Sequence, residues 1–186
     1  MSKPLEVDIF IPCFIDQVYP ETGFNMIKVL EKAGVKINYN PNQTCCGQIA
    51  FNAGFWDDAK KLGEKFIKDF DNGRMIVGPS ASCIGYVRNG FDELFYNGAY
   101  HNEYKQLQRS IFEITDFLVN VVKVTDLGSV FEHKVTFHDS CAALREYKLG
   151  NEPRILLKNV SGLELVEMEN CHECCGFGGT FAIKFE

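Results

Sequence analysis

A chain of 186 residues, 46% hydrophobic and 24% charged, has the balance of a globular protein and is long enough for one ordinary domain or two small halves sharing a core. A formal net charge of −6 and a pI near 5.3 argue against a general nucleic-acid binder. No stretch approaches the roughly 20 apolar residues of a membrane span, and the opening Met1-Ser2-Lys3-Pro4-Leu5-Glu6 lacks the apolar region of a secretory signal, so a cytoplasmic location is expected. Eight cysteines in such a chain read as reduced ligands or redox groups rather than a secreted disulfide framework.

Val7-Asp8-Ile9-Phe10-Ile11-Pro12-Cys13 predicts a mostly buried strand with Cys13 at its carboxyl end. Pro20 and Glu21 open a helix with Phe24, Ile27, Val29, Leu30 and Ala33 as its apolar stripe, and Gly34 stops it. Val35 to Tyr39 reads as a strand and Pro41 to Thr44 as a loop. Trp56 to Phe70 carries Ala59, Leu62, Phe66, Ile67 and Phe70 at helical spacing. Arg74 to Gly78 is a third strand, followed by Pro79-Ser80-Ala81-Ser82-Cys83 and a helix through about Phe95. Residues 97 to 129 predict a connector, mostly a helix carrying Leu107, Ile111, Ile114, Leu118 and Val121. Lys134 to Cys141 then repeats the first strand, and a helix around Pro153 to Asn159 and a strand Leu163 to Glu167 follow.

Strands alternating with helices predict an α/β protein: two related Rossmann-like β-α-β units with parallel sheets. The expected boundaries are 1–96 for the first unit, 97–133 for the helical connector and 134–186 for the second unit. Ligands of open parallel sheets bind at the carboxyl ends of the strands, where Cys13 and Cys83 are expected.

Cys45-Cys46-Gly47 recurs as Cys174-Cys175-Gly176, and each triplet follows another cysteine, Cys13 or Cys141, by 32 or 33 positions. Such repetition marks an internal duplication. Adjacent side chains in an extended segment point to opposite faces, so neighbouring cysteines meet at one centre only where the backbone turns sharply, which glycine permits. A disulfide between adjacent residues is strained against the usual Cα separation of about 4.4–6.8 Å. Metal ligation is the better account, and a polynuclear centre accepts adjacent thiolates more easily than one small tetrahedral ion. Only 11 residues follow Cys175, so the second unit is expected to be incomplete, truncated at its C-terminal end, with no equivalent of Cys83.

Other features carry less. Cys13, Cys83 or Cys141 taken singly could equally be a buried structural cysteine. Cys171-His172-Glu173-Cys174 has Cys-x-x-Cys spacing, which suits zinc or a redox dithiol, but the first repeat has Asn42 at the corresponding position. His138 and Asp139 resemble an acid-base pair only by proximity, and a strand-end histidine more often bonds locally. The glycines after Cys175 do not form a nucleotide loop; they suit close backbone approach to an inorganic centre whose sulfurs accept from N–H groups.

Ile11-Pro12-Cys13-Phe14, Gln43-Thr44-Cys45-Cys46-Gly47-Gln48, Pro79-Ser80-Ala81-Ser82-Cys83, His138-Asp139-Ser140-Cys141 and Cys174-Cys175-Gly176-Phe177-Gly178-Gly179-Thr180-Phe181 together resemble the cysteine-rich CCG-domain family, over nearly the whole chain. The cysteine-rich component of heterodisulfide reductase and the glycolate oxidase iron–sulfur subunit are more distant members of the resemblance. It implies an iron–sulfur electron-transfer subunit of a 2-hydroxy-acid oxidoreductase, L-lactate to pyruvate, inactive alone and assembled with other subunits of a lactate-oxidising complex. The implied cofactor is a [4Fe–4S] cluster, readily lost in aerobic handling. Cys13, Cys45, Cys46 and Cys83 are the implied first ligand set; Cys141, Cys174 and Cys175 begin the second. Tyr86 stands where the heterodisulfide reductase component completes a Cys-x-x-Cys pair, so that protein's five-cysteine cluster does not transfer. The alternative is a zinc-binding or thiol-redox module outside an electron-transfer chain, built on Cys171 and Cys174. The chain offers neither a dinucleotide fingerprint nor a base-and-arginine constellation for a carboxylate substrate, so hydride removal is expected elsewhere.

Overall fold

The structure, a computed structural model, describes residues 4–178 and 185. Its first element, β1 (Glu6–Ile9), is buried from Val7 to Ile9 because both sheet faces are covered; Val7 and Ile9 lie on one face, and Asp8, which accepts from Asn38, Asn72 and Arg74, lies on the other. It pairs in parallel with β2 (Lys36–Tyr39) on one side and with β3 (Met75–Gly78) on the other. A fourth strand, β4 (Ile111–Glu113), extends the parallel sheet beyond β3, giving the order β2-β1-β3-β4.

From Val7 to Phe10, one residue beyond β1, side chains alternate between the two faces of the sheet. Val7 and Ile9 face a cluster with Met26, Leu30, Val35, Val77, Phe117 and Leu118, whereas Phe10 lies in a second cluster with Phe66, Phe70, Ile76, Phe91, Phe95 and Tyr104. Two short helices, α1 (Cys13–Val18) and α2 (Pro20–Lys32), link β1 to β2. α3 (Gln48–Asn52) and α4 (Trp56–Phe70) link β2 to β3. Since α2 lies in the first cluster and α4 in the second, successive crossovers cover opposite faces. Strand order therefore reverses between β1 and β3, the switch point at which open α/β sheets hold their ligands.

α2 departs from the expected stripe: Gly23, Met26 and Leu30 are its buried residues, while Phe24 is exposed. The sheet takes the face centred on positions 23, 26 and 30, and a residue one place along is rotated about 100° away. In α4, Ala59, Phe66, Ile67 and Phe70 are buried as the spacing predicts; Leu62 is half-buried and Gly63 takes the buried place beside it.

After β3 comes α5 (Ala81–Gly85), which widens into a π-type turn over Tyr86–Gly90 and continues as α6 (Phe91–Phe95). α7 (His101–Ser110) is the expected helix, but it stops at Ser110; Ile111–Glu113 form β4 rather than another helical turn. α8 (Ile114–Asp116) resumes the helix and runs into a π-type segment over Phe117–Val122.

A second, smaller parallel sheet pairs β5 (Lys134–Val135) with β6 (Glu164–Leu165), joined by an isolated bridge between Val130 and Ser161. The strand expected to reach Cys141 ends at Val135, because two strands alone bury little and pair on one side only. Between them lie a π-type segment, Ala142–Tyr147, and α9 (Glu152–Lys158). The Ala142–Tyr147 segment packs against α5, with Asn89 donating to the Glu146 carbonyl. Among the described residues no helix is long and apolar enough to cross a membrane.

Candidate metal centre

Cys13 begins α1 directly beyond β1, and Cys83 lies in the first turn of α5 directly beyond β3. The strands flanking the switch point thus deliver one thiol each. The doublet must come across from the loop after β2, and the side chain of Gln43 brings it. Its Oε1 accepts from the Ile11 N–H at 2.7 Å, and its Nε2 donates to the carbonyls of Ile9 at 3.3 Å and Asn40 at 3.0 Å. This clamps the loop to the end of β1.

Gly47 then turns the chain at φ +89°, a conformation that favours glycine, and begins α3. Its position is also crowded: a Cβ there would lie 3.2 Å from the Ala59 carbonyl oxygen of α4. On the far side of the turn the Gln48 Oε1 accepts from the Ser82 hydroxyl at 2.8 Å, which ties α3 to the start of α5 and Cys83.

The four thiols converge. Cys13 donates to Cys45 across 3.5 Å, and Gly47 N–H donates to Cys45 Sγ at 3.4 Å. Hydrogen bonding from Cys46, then from the Gly47 N–H and Cys13, lowers Cys45 to about 5. Cys83 is lowered chiefly by accepting from Cys46, with the Ser80 side chain adding a bond. Burial first, then donation to Cys45, pushes Cys13 up to about 11. Cys46, 2% exposed, is held well above its ordinary value by donating to Cys45 and Cys83. Two thiols with raised pKa values, Cys13 and Cys46, therefore share one space with two whose values are lowered, Cys45 and Cys83.

The second triplet repeats the arrangement at the surface. Hydrogen bonding to Cys174 raises Cys141, and the Gly176 N–H followed by Cys141 lowers Cys174. Gly176 has φ +79°, matching Gly47. Cys174 and Cys175 are exposed, and Cys141 is half-buried. His138 Nε2 sits 2.8 Å from the Glu173 carbonyl and Asp139 N–H donates to the Cys171 carbonyl at 3.0 Å, so these two backbone contacts draw the triplet to Cys141. Gly179, Thr180 and Phe181 of the same motif lie outside the described residues.

His138 thus bonds a backbone carbonyl 35 residues along the chain rather than a local one. Asp139 is fixed by a bidentate pair with Arg154 at 2.8 and 2.7 Å, which keeps its carboxyl below the usual range. Cys171 groups with Asp139 and His172, their ligand atoms within 4.8 Å of one another, and Arg154 Nη2 lies 3.6 Å from its sulfur. A guanidinium against both the carboxylate and the sulfur opposes a cation there.

The first set fits an iron–sulfur group. Its thiols are free of disulfides, N–H groups of Phe14 and Gly47 point at sulfurs, and a buried hydroxyl, that of Tyr86, lacks a partner among the described residues. Gln43 and Gln48 are the residues that sequence reasoning left without a role, although both flank the doublet within the repeated motif.

A family of cysteine-rich domains, CCG, matches residues 7–88 and 135–186, so that both triplets fall inside matched stretches. Lactate utilization protein A of Oceanobacillus iheyensis is 40% identical over 181 residues, 97% of this chain and 74% of that protein. Lactate utilization protein A 2 of Bacillus cereus is 38% identical, and Lactate utilization protein A 1 of Bacillus anthracis 37%, each over 97% of this chain and 75% of its own length. With two matched stretches that hold all eight cysteines, and relatives of this identity along nearly its full length, the chain belongs to the cysteine-rich CCG-domain family.

Proposed function

We propose that the chain is an iron–sulfur electron-transfer subunit of a system that oxidises a 2-hydroxy acid, L-lactate to pyruvate, working in the cytoplasm with partner subunits. The observation that carries this reading is the convergence of Cys13, Cys45, Cys46 and Cys83 at the switch point. The relatives' names, Lactate utilization protein A, support lactate as the substrate. We read the chain as two CCG repeats, 1–96 and 134–186, joined by residues 97–133, with Cys141, Cys174 and Cys175 as ligands of a second, more exposed site.

A [4Fe–4S] cluster, when bound, takes up and releases single electrons. Cys45, lowered to about 5, offers a thiolate, the lowered Cys83 gives up its proton more readily than an ordinary thiol, and the raised Cys13 and Cys46 release theirs as they ligate. Burial of Cys46 limits water and oxidant access, and the Gly47 N–H stabilises charge on the neighbouring sulfur. Removing hydride from the acid is assigned to a flavin or nicotinamide on another subunit.

Anaerobic purification with iron and acid-labile sulfide analysis tests the reading. Iron and sulfide in stoichiometric amounts are expected; zinc without sulfide would favour the metal-clip or dithiol alternative. Lactate-dependent dye reduction should require the partner subunits, and Cys45→Ser or Cys46→Ser should abolish it while the subunits stay associated. Lactate oxidation by the isolated chain would overturn this division of labour.

A further inference from the structure

The chain buries several tyrosines, and their hydroxyls differ. Tyr104 donates to the Arg88 carbonyl at 2.7 Å, and Tyr147 accepts from the Glu113 N–H at 3.0 Å while donating to Asp116. Tyr86, 4% exposed, has no hydrogen-bond partner for its hydroxyl among the described residues. A sealed hydroxyl without an acceptor is costly, and native interiors rarely leave one so.

Its surroundings make packing alone a poor reason for the hydroxyl. Tyr86 lies three residues after Cys83 on one helix, a spacing that places both on the same face. It belongs to the buried cluster that contains Cys46, against which Cys45 and Cys83 pack. The ring is seated from three directions: Phe51 at 5.4 Å, Phe91 at 5.4 Å edge-on, and Gly90, where a Cβ would come within 2.5 Å of Tyr86 Cδ2. The widened turn Tyr86–Gly90 starts at this residue, and such turns recur at functional sites. A phenylalanine would fill that seat equally well.

The thiol sulfurs leave the hydroxyl unpartnered, and a sulfide-bearing group held by them would bring further acceptor sulfurs to the buried cluster that Tyr86 shares with Cys46. We propose that Tyr86 donates a hydrogen bond to a sulfur of the iron–sulfur group held by Cys13, Cys45, Cys46 and Cys83, and thereby raises its reduction potential. A donor stabilises the more negative, reduced form over the oxidised form. This rests on the iron–sulfur reading above.

The test is an anaerobic redox titration of the full chain, followed by electron paramagnetic resonance, with the first-site signal identified by its loss in Cys46→Ser. Tyr86→Phe is expected to keep its iron and sulfide and to shift the midpoint to a more negative potential. Replacing Tyr86 with 3-fluorotyrosine, a stronger donor of nearly the same shape, is expected to shift it to a more positive one. A purely structural role predicts no such ordering. Equal midpoints in Tyr86→Phe and wild type, with equal iron, would overturn the proposal while leaving the iron–sulfur reading standing. Should Tyr86→Phe lose its iron, the fluorotyrosine protein decides, and an unshifted midpoint there overturns it. A wild-type chain that binds no iron or sulfide overturns both.

Discussion

Gln43 closes the first cysteine loop with one amide, satisfying the Ile11 N–H and the Ile9 carbonyl at the end of β1 and the Asn40 carbonyl just after β2. Gln43→Leu removes the partner of a partly buried N–H, and a group left unsatisfied in this way costs about 1–3 kcal/mol. The expected outcome is a chain that still folds, at a lower urea midpoint, and retains less iron because Cys45 is no longer held against Cys13; unchanged iron per chain would show that the clamp is dispensable. Glu113, 6% exposed, poses a different problem at the same scale. Burial raises its pKa above the ordinary value, although Thr115 and the Asp116 N–H donate to it. A raised folded value favours the neutral form, so the stabilising contribution is complete below the ordinary Glu range and is lost as pH rises through the folded value. Glu113→Gln, neutral throughout, should therefore be more stable than wild type at pH 8, and the gap should shrink towards pH 4. Denaturant midpoints at the two pH values measure it, and a constant offset would count against the argument.

Among the elements, α4 depends on a glycine that helix propensity disfavours. Alanine at position 63 would gain roughly 1 kcal/mol of helix propensity. Its Cβ, however, would come within 2.8 Å of the Phe95 ring, which is 1% exposed and has nowhere to move. Overpacking a close-packed core costs typically about 1–3 kcal/mol, so the clash wins. Gly63→Ala should lower the melting temperature, and a stabilised variant would show that α6 slides away freely. β4 shows the same primacy of packing over local preference. Its three residues lie within an apolar pattern that continues α7, yet they pair with Ile76, Val77 and Gly78 because the exposed edge of β3 offers a parallel partner.

For the whole molecule, the critical joint lies between the large sheet and the segment that follows Cys141. Tyr147 reaches from that segment to the end of β4, and Arg88 stacks over both its ring, at 4.6 Å, and that of Phe112, at 5.3 Å. Tyr147→Phe keeps the ring and strands the Glu113 N–H, at a cost of about 1–3 kcal/mol. The expected result is earlier hydrogen exchange in residues 142–147 than in β1 and β3, with the first thiol set still able to take up iron. Simultaneous loss of protection in both regions would mean that the parts unfold as one.

The duplicated triplets, the separations from Cys13 and Cys141, and the alternation of strand and helix were legible in the residues, because glycine turns, apolar periodicity and thiol chemistry are local properties. They sufficed for the α/β class, the parallel sheet and the family. Two things were not legible, and a third, the meeting of the first cysteine set, was expected from the residues but is brought about by non-local pairing. The buried face of α2 was decided by the sheet that covers it, which exposed Phe24. β4 was decided by the free edge of β3, since three residues are too few to display a period. The cysteine cluster was decided by strand order: β1 and β3 are far apart in sequence and become neighbours only through pairing, and only that pairing brings Cys83 to Cys13 and the doublet. Residue types specify the chemistry available, but which of them meet depends on non-local hydrogen bonds and burial, which no stretch of the chain determines alone.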